Sequence, residues 1–367
     1  MDPELYAVNI GTAQSKLVEQ GFAGFISDRP EDVAYLFPVR AFVYRVMAES
    51  RGYEVVLLPA SGLPKILTAD GYVEFYRSCS VDAASTAALD QIIPAFATGA
   101  GGRVAISPDT SSRLVARLEE LLPGRLQLAD PVLEARQVKS TLEVEAMRRA
   151  VVAAEAGMNA GMDASVAGTR ECDAAGQAEL AMRRSGADAF CFSTIVSSGP
   201  ELGYMREVTG ERQIGPGDWV MLDLGCSVSG YNAEFARTLI AGPPTAEYLE
   251  AHGVVVAAQR AAINRVRPGA SVAEADRAAR EVIGRSRFRD AAYRHITGHG
   301  IGTAVWEPPF VSSDGDARFE PGMVVCIEPG VFIPGVGGVR VEDVVLVTDD
   351  GSEVLTKTPD LDTMPSH

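Results

Sequence analysis

The amino-acid sequence predicts an α/β protein of two domains, an interpretation that rests on chain length, on the order of helix and strand patterns, and on one boundary. The chain has 367 residues, and a domain usually has about 100–200 residues. Helical and strand-like patterns alternate over residues 13–130, and a polar stretch at residues 130–140 precedes a longer second series. We therefore expect a smaller N-terminal α/β domain over residues 1–135 and a larger domain over residues 136–367.

The first half predicts helices that alternate with short strands. A helix ends at residues 17–21, and apolar runs at residues 22–27, 55–60 and 104–107 predict strands. An amphipathic helix is expected over residues 111–124. The glycine-rich residues 99–102 precede a strand instead of opening a helix after one, which favours a turn over a phosphate-binding loop. This half offers no obvious candidate site.

The second half begins with a strong helix start. Ser140 is followed three residues later by Glu143, the spacing of a capping box, and apolar residues then recur at spacings of three and four. Helical patterns continue to residue 185, strands are expected at 192–198, 219–226 and 231–240, helices at 245–265 and 272–285, and strands over 322–348. The order helix, helix, strands occurs twice, which indicates an internal pseudo-repeat.

The composition is that of a soluble globular protein that acts on a small molecule or a peptide. The hydrophobic fraction is 47%, the charged fraction is 22% and the net charge is -16. Because nucleic acids and anionic membranes are bound by clustered Lys and Arg, this charge balance argues against both as partners. The chain shows no signal-like leader and no apolar run of ~20 residues, so we expect a cytoplasmic protein.

Cysteine and histidine are both scarce. The five cysteines lack CxxC spacing, which favours reduced, buried thiols over disulfides or zinc-thiolate sites. Only four imidazoles are available to any mechanism. Of these, His252 and His367 are expected at the surface, and His295 and His299 are left as candidates for a site.

Five ionisable residues of the second half lie in or near apolar strands. They are Asp223, Glu234, His299, Glu328 and Glu342. Burying several carboxylates without partners is costly, and a bound cation makes all of them tolerable at once. These residues therefore predict one metal site. Four carboxylates and one imidazole favour one or two ions of manganese, iron, cobalt or zinc, without deciding among them.

Three motifs in this order give the second half a resemblance to a known family. They are Gly-His-Gly-Ile-Gly at residues 298–302, Glu-Pro-Gly at 328–330 and Val-Arg-Val-Glu-Asp at 339–343. In these motifs the chain resembles the creatinase, prolidase, aminopeptidase P and methionine aminopeptidase family. The resemblance covers about residues 138–359. It implies that a creatinase-like or prolidase-like N-terminal α/β domain is followed by a catalytic domain of the pita-bread fold. It also implies that the protein is a homodimer.

The resemblance also implies roles for individual residues. In the family's metallohydrolases two Asp residues, one His and two Glu residues hold two divalent ions, and these places fall on the five residues named above. Four of them have the family's residue type, whereas Glu234 replaces the second Asp, eleven residues after Asp223. That longer side chain leaves open whether one ion or two is held. Glu328 and His299 are the expected catalytic residues, with Glu328 as the proton shuttle.

Two departures from the family put peptidase activity in question. Trp306 stands where family peptidases have a His in Val-His-Glu-Pro-Pro, and Arg206 takes the place of a second His at the end of residues 198–206. Arg206 offers a fork for a carboxylate, and Trp306 offers a flat apolar wall. We expect both to bind substrate together with His295 and Arg340, which favours a small anionic substrate.

The leading interpretation is therefore a metal-dependent hydrolase of a C–N bond in a small, anionic, amino-acid-derived substrate. The first alternative is an Xaa-Pro dipeptidase or aminopeptidase. A metal-dependent lyase is the second alternative, because the family also contains one. A catalytically inactive binding module is the third, although decay of that kind usually removes ligands and here four of five are unchanged.

Overall fold

The protein is described by a computed structural model that covers residues 3–38 and 54–359. The chain divides into two compact units, Met1–Arg136 and Gln137–His367. Among the helices of these residues, we find none with the length and apolar character that crossing a bilayer requires.

The first unit is built on one mixed sheet with the order β4-β3-β2-β1-β5-β6. Its strands are β1 (Phe22–Ser27), β2 (Val55–Pro59), β3 (Lys65–Thr68), β4 (Asp82–Ser85), β5 (Arg103–Ile106) and β6 (Leu126–Leu128). Its helices are α1 (Pro3–Glu19), α2 (Pro30–Leu36), α3 (Asp70–Ser78), α4 (Leu89–Ala100), α5 (Ser112–Leu121) and α6 (Pro131–Gln137). Strand β1 pairs antiparallel with β2 and parallel with β5, and its side chains are mostly buried.

The second unit opens with two helices that pack on a long hairpin. The helices are α7 (Thr141–Ala164) and α8 (Glu171–Arg184), and the strands are β7 (Ala189–Phe190), β8 (Ile195–Ser198), β9 (Trp219–Val228) and β10 (Tyr231–Ile240). The predicted capping box is present: the Glu143 amide donates to Ser140 Oγ, and the Ser140 amide donates to the Glu143 carboxylate. Almost every residue of β9 and β10 is buried, because the two helices cover the sheet.

The same order of elements follows a second time, which agrees with the predicted pseudo-repeat. Helices α9 (Ala246–Ile263) and α10 (Val272–Gly284) precede a sheet of order β12-β11-β13-β16-β17 and a separate hairpin of β14 and β15. These strands are β11 (Gly298–Gly300), β12 (Glu307–Val311), β13 (Val324–Ile327), β14 (Gly330–Ile333), β15 (Gly337–Arg340), β16 (Asp343–Val347) and β17 (Ser352–Val354).

Two local predictions need correction. The strand predicted over 192–198 is limited to Ile195–Ser198. His252 is buried, not at the surface, because its neighbours Ala251 and Val255 on α9 belong to the core and its ring packs 5.7 Å from that of Tyr248. His367 lies outside the described residues.

Candidate metal centre

The long hairpin positions the first two candidate ligands. In the antiparallel register of β9 and β10, Asp223 lies opposite Ala236 and Glu234 lies opposite Gly225. Residues two apart on a strand share a face, so Asp223 and Glu234 project from the same side of the hairpin as diagonal neighbours.

The second sheet positions the other three. His299 lies in the middle of β11, Glu328 directly follows β13, and Glu342 lies between β15 and β16. The glycines beside His299 permit a close approach of the strands: a Cβ at Gly298 would lie 1.9 Å from the Cys326 carbonyl oxygen, and one at Gly300 would lie 2.4 Å from that of Pro308. The Gly-His-Gly sequence is therefore a steric requirement of this sheet.

All five side chains converge on one cavity of about 230 Å³. The lining also includes three of the four residues predicted to bind substrate and four that were not predicted. The lining residues are Phe192, Ile195, Met205, Glu207, Asp223, Glu234, His295, His299, Trp306, Glu328, Arg340 and Glu342.

The imidazole of His299 presents a bare nitrogen to two carboxylates. Its Nδ1 lies 3.1 Å from the Gly300 carbonyl oxygen, which can only accept a hydrogen bond, so the proton is assigned to Nδ1. Burial lowers the pKa of His299 to about 4, which keeps the ring neutral. Its Nε2 then faces Glu234 Oε1 at 3.3 Å and Glu328 Oε1 at 3.8 Å. The lone pair of His299 Nε2 therefore points at the lone pairs of these oxygens. A proton or a metal cation between them is needed to remove the repulsion.

The buried carboxyl groups of the cavity outnumber its cations, because Arg340 is the one Lys or Arg among the described lining residues. Burial, and then repulsion from neighbouring carboxylates, raises the pKa of Glu234 and of Glu342 well above the usual range. Burial also raises the pKa of Glu328 to about 8, against the opposing effect of Arg340. Asp223 Oδ1, Glu234 Oε1 and Glu328 Oε1 are buried without a hydrogen-bond partner. Orphaned oxygens beside an unprotonated imidazole nitrogen are a donor set that fits divalent metal ions.

Arg340 crosses one side of the cavity and is committed to protein partners. Its Nη1 donates to Asp223 Oδ2 at 2.6 Å, and its Nη2 donates to Glu207 Oε1 at 2.6 Å. The same Nη2 lies 3.2 Å from His295 Nε2, and His295 Nδ1 lies 2.7 Å from the Ile296 carbonyl oxygen. His295 and Arg340 therefore line the cavity as predicted, but their polar atoms already contact neighbouring protein atoms.

The structure does not bring Arg206 into the cavity, which corrects its expected place in a substrate pocket. Its guanidinium lies 3.2 Å from Glu201 and 3.6 Å from Glu171. Met205 has a left-handed backbone with a φ of 57°. Met205 and Glu207 line the cavity on either side of Arg206, whose side chain takes a different direction.

Trp306 forms the wall predicted for it. Its ring stacks on that of His299 with 4.5 Å between the centroids and 25° between the planes, and 54% of the residue is exposed.

Cys326 belongs to the cluster, although the sequence assigned it no role. The sulfur of Cys326 and one ligand atom each of Glu234, His299 and Glu342 all lie within 4.8 Å of one another.

Comparison with known proteins identifies the family. The model of metallopeptidase family M24 matches residues 145–349, more than half of the chain. The chain belongs to this family. Its resemblance to the creatinase and prolidase group is thereby confirmed.

Relatives of known name share its sequence and its fold. The Xaa-Pro dipeptidase of Pyrococcus furiosus is 34% identical over 232 residues, which cover 63% of this chain and 66% of that protein, just under two thirds of its length. The solved structure of an Xaa-Pro dipeptidase from Bacillus anthracis matches 97% of this chain and 98% of its own with a TM-score of 0.84 at 27% identity. Dipeptidase PepE from Mycobacterium ulcerans matches 98% of this chain and 97% of its own with a TM-score of 0.83 at 28% identity. An N-terminal domain before a pita-bread catalytic domain is therefore the fold of this chain.

Proposed function

We propose that this metallohydrolase is a dipeptidase for Xaa-Pro dipeptides. The metal site of the proposal is formed by Asp223, Glu234, His299, Glu328 and Glu342. The observation that carries it is the bare Nε2 of His299 held 3.3 Å from an orphaned oxygen of Glu234 in a buried cavity. Similarity to Xaa-Pro dipeptidases along most of the chain supports the choice of substrate.

The structure removes the argument for the small anionic substrate that was predicted from the sequence. It depended on Arg206 as a free cation in the pocket, and Arg206 is paired with two carboxylates elsewhere. Arg340 is the one Lys or Arg among the described lining residues, and it already binds Asp223 and Glu207. A dipeptide, whose scissile carbonyl needs polarisation, fits this acidic cavity better than an anion.

The residues of the chain would divide the work of hydrolysis among them. When bound, divalent ions supply a Lewis acid and lower the pKa of water. Glu328 would take up a proton and return it to the leaving amine, which is the role that the family resemblance implies for it. Arg340 orients the carboxylate of Asp223, and Trp306 shields His299 from solvent on one face.

A second candidate function is hydrolysis of a C–N bond in a small substrate that is not a dipeptide. Trp306 and Arg206 occupy the motif positions at which the resembling peptidases carry imidazoles, and removing such donors weakens stabilisation of a developing oxyanion. A small cyclic or amidine substrate would depend less on those two groups. A cytoplasmic location and a homodimer stay predictions from sequence and resemblance.

A panel of Xaa-Pro dipeptides, assayed with manganese-loaded and cobalt-loaded protein, tests the proposal. We expect release of free proline, its loss on chelation, and a decrease of about 100-fold or more in kcat in Glu328→Gln. The control is Glu281→Gln, an exposed glutamate on α10, which should retain full activity. A metal-loaded protein that cleaves no dipeptide would favour the second candidate, and a protein that binds no metal would contradict both.

A further inference from the structure

We propose that Cys326 is a thiolate ligand of a divalent ion that Glu234, His299 and Glu342 also hold. This inference deepens the proposed function, because it concerns the composition of the same metal site. It assigns a sulfur to a ligand set that the sequence suggested to be all oxygen and nitrogen.

Strand register places the thiol beside the predicted ligands. Cys326 lies directly opposite His299 in the antiparallel pairing of β11 with β13. Directly paired residues have side chains on the same face, with Cβ atoms about 4.5–5.5 Å apart. Cys326 also precedes Glu328 by two residues, so strand alternation places both side chains on one face. Glu328 lines the cavity itself, and Cys326 lies behind the lining residues.

Four ligand atoms lie near enough to one another to share one ion. The Cys326 sulfur, one ring nitrogen of His299 and one carboxylate oxygen each of Glu234 and Glu342 all lie within 4.8 Å of one another. All four residues are at least 95% buried. An ion at their centre would need a zinc–sulfur distance of about 2.3 Å and zinc–nitrogen or zinc–oxygen distances of about 2.0–2.2 Å.

The Cys326 thiol makes a weak polar contact within the protein. Its sulfur contacts the backbone carbonyl oxygen of Glu234 at 3.9 Å, which is long even for a sulfur donor. Cys226, the other fully buried cysteine, differs: its sulfur contacts the Ala150 carbonyl oxygen at 3.5 Å, on the side of β9 covered by α7. Coordination of Cys326 releases the thiol proton to solvent and leaves a sulfur–metal bond.

A sulfur ligand changes which metals the site prefers. Thiolates favour zinc and other softer ions, whereas carboxylates alone suit manganese. We therefore expect removal of the Cys326 sulfur to lower zinc affinity by about 10-fold or more, and manganese affinity by much less.

X-ray absorption at the zinc edge of the zinc-loaded protein tests the proposal directly. We expect one sulfur neighbour at about 2.3 Å beside nitrogen and oxygen neighbours. Zinc with nitrogen and oxygen neighbours alone would overturn the thiolate ligand and leave the metal site of the proposed function intact. Failure to bind zinc in a protein that binds manganese would overturn the thiolate ligand alone, and failure to bind either metal would overturn both.

Matched variants identify the sulfur. In Cys326→Ser the sulfur neighbour should disappear, and in Cys226→Ser, which replaces an equally buried thiol, it should remain. A sulfur neighbour that persists in Cys326→Ser would overturn the assignment. The wild-type spectrum alone decides the matter if that variant does not fold.

Discussion

Arg340 binds the two carboxylates on one side of the cavity. Its guanidinium donates to Asp223 and Glu207 while 5% of the residue is exposed. Replacing it leaves buried carboxylates without a counter-charge, so in Arg340→Met we expect the free energy of unfolding of the metal-free protein to fall by about 3–5 kcal/mol. Urea denaturation measures this, with the exposed Arg285→Met as control, which should change by less than about 0.5 kcal/mol. Equal effects of the two variants would contradict this role.

Glu328 makes the stability of the metal-free protein depend on pH. Its pKa is raised from 4.5 to about 8 by folding, so its contribution is complete below 4.5 and is lost as pH rises through 8. The pKa values of His295 and His299 fall from 6.5 to about 4, so their contributions are complete above 6.5 and are lost on acidification. Between pH 6.5 and 8 the histidine contributions no longer change, so the raised pKa values of the buried carboxyl groups determine the direction.

We therefore expect the metal-free protein to lose about 1–2 kcal/mol of unfolding free energy from pH 6.5 to 8. The raised pKa values of Glu234 and Glu342 act in the same direction. Urea denaturation at a series of pH values checks this, and Glu328→Gln should flatten the profile. Stability that rises over this window would show that the carboxyl groups are not protonated in the folded state.

At this scale the sequence predicted the residues with strong local signals. Asp223, Glu234, His299, Glu328 and Glu342 stand out because charged groups in apolar strands need a partner, and all five line the cavity. Which residues surround them depends on details that spacing does not reveal.

Glu207 lines the cavity and Arg206, which was expected there, does not. The neighbouring Met205 has a left-handed backbone that a sequence pattern does not indicate. Cys326 was overlooked because its signal is a two-residue spacing from Glu328 on a strand, not a CxxC motif. Because residues two apart on a strand share a face, the position two residues before the candidate ligand Glu328 could have been identified as a further candidate.

Strand β11 depends on the absence of side chains beside His299. In Gly298→Ala the new Cβ would lie 1.9 Å from the Cys326 carbonyl oxygen, so β11 and β13 would have to separate. We expect a loss of several kcal/mol of stability, as for other severe clashes or strain, together with weaker metal binding. Differential scanning calorimetry and metal titration measure both effects.

Gly253→Ala is the matched control for that substitution. Gly253 lies inside α9, and no heavy atom would come within 4 Å of an added Cβ. Because alanine is the better helix former, this variant should be stabilised by about 0.5–1 kcal/mol. A Gly298→Ala protein that is as stable as wild type would show that the sheet tolerates a side chain there.

Elements with a strong periodic pattern were predictable from sequence. The capping box places the start of α7, and the apolar hairpin of β9 and β10 agrees closely with its predicted range. The pair of helices α7 and α8 before the hairpin was also predicted, but the break between them at residues 165–170 was not located. Strand β11 escaped prediction because three residues, two of them glycine, give no strand propensity.

For the whole molecule, metal binding should be coupled to stability. An ion that binds the folded chain at 100 times its dissociation constant adds about 2.7 kcal/mol to the free energy of unfolding. We expect manganese or zinc to raise Tm, chelation to reverse the rise, and Glu342→Gln to reduce it. Calorimetry at several metal concentrations measures this dependence. A Tm that does not change with metal concentration would contradict a buried metal site.

The central claim is that five side chains from separate strands and loops hold divalent metal. Anomalous diffraction at the manganese edge, from crystals of manganese-loaded protein, tests this most directly. We expect at least one anomalous peak within about 2.0–2.4 Å of ligand atoms from Asp223, Glu234, His299, Glu328 or Glu342. Fully loaded crystals with no peak in this cavity, or with peaks only at the protein surface, would contradict the claim.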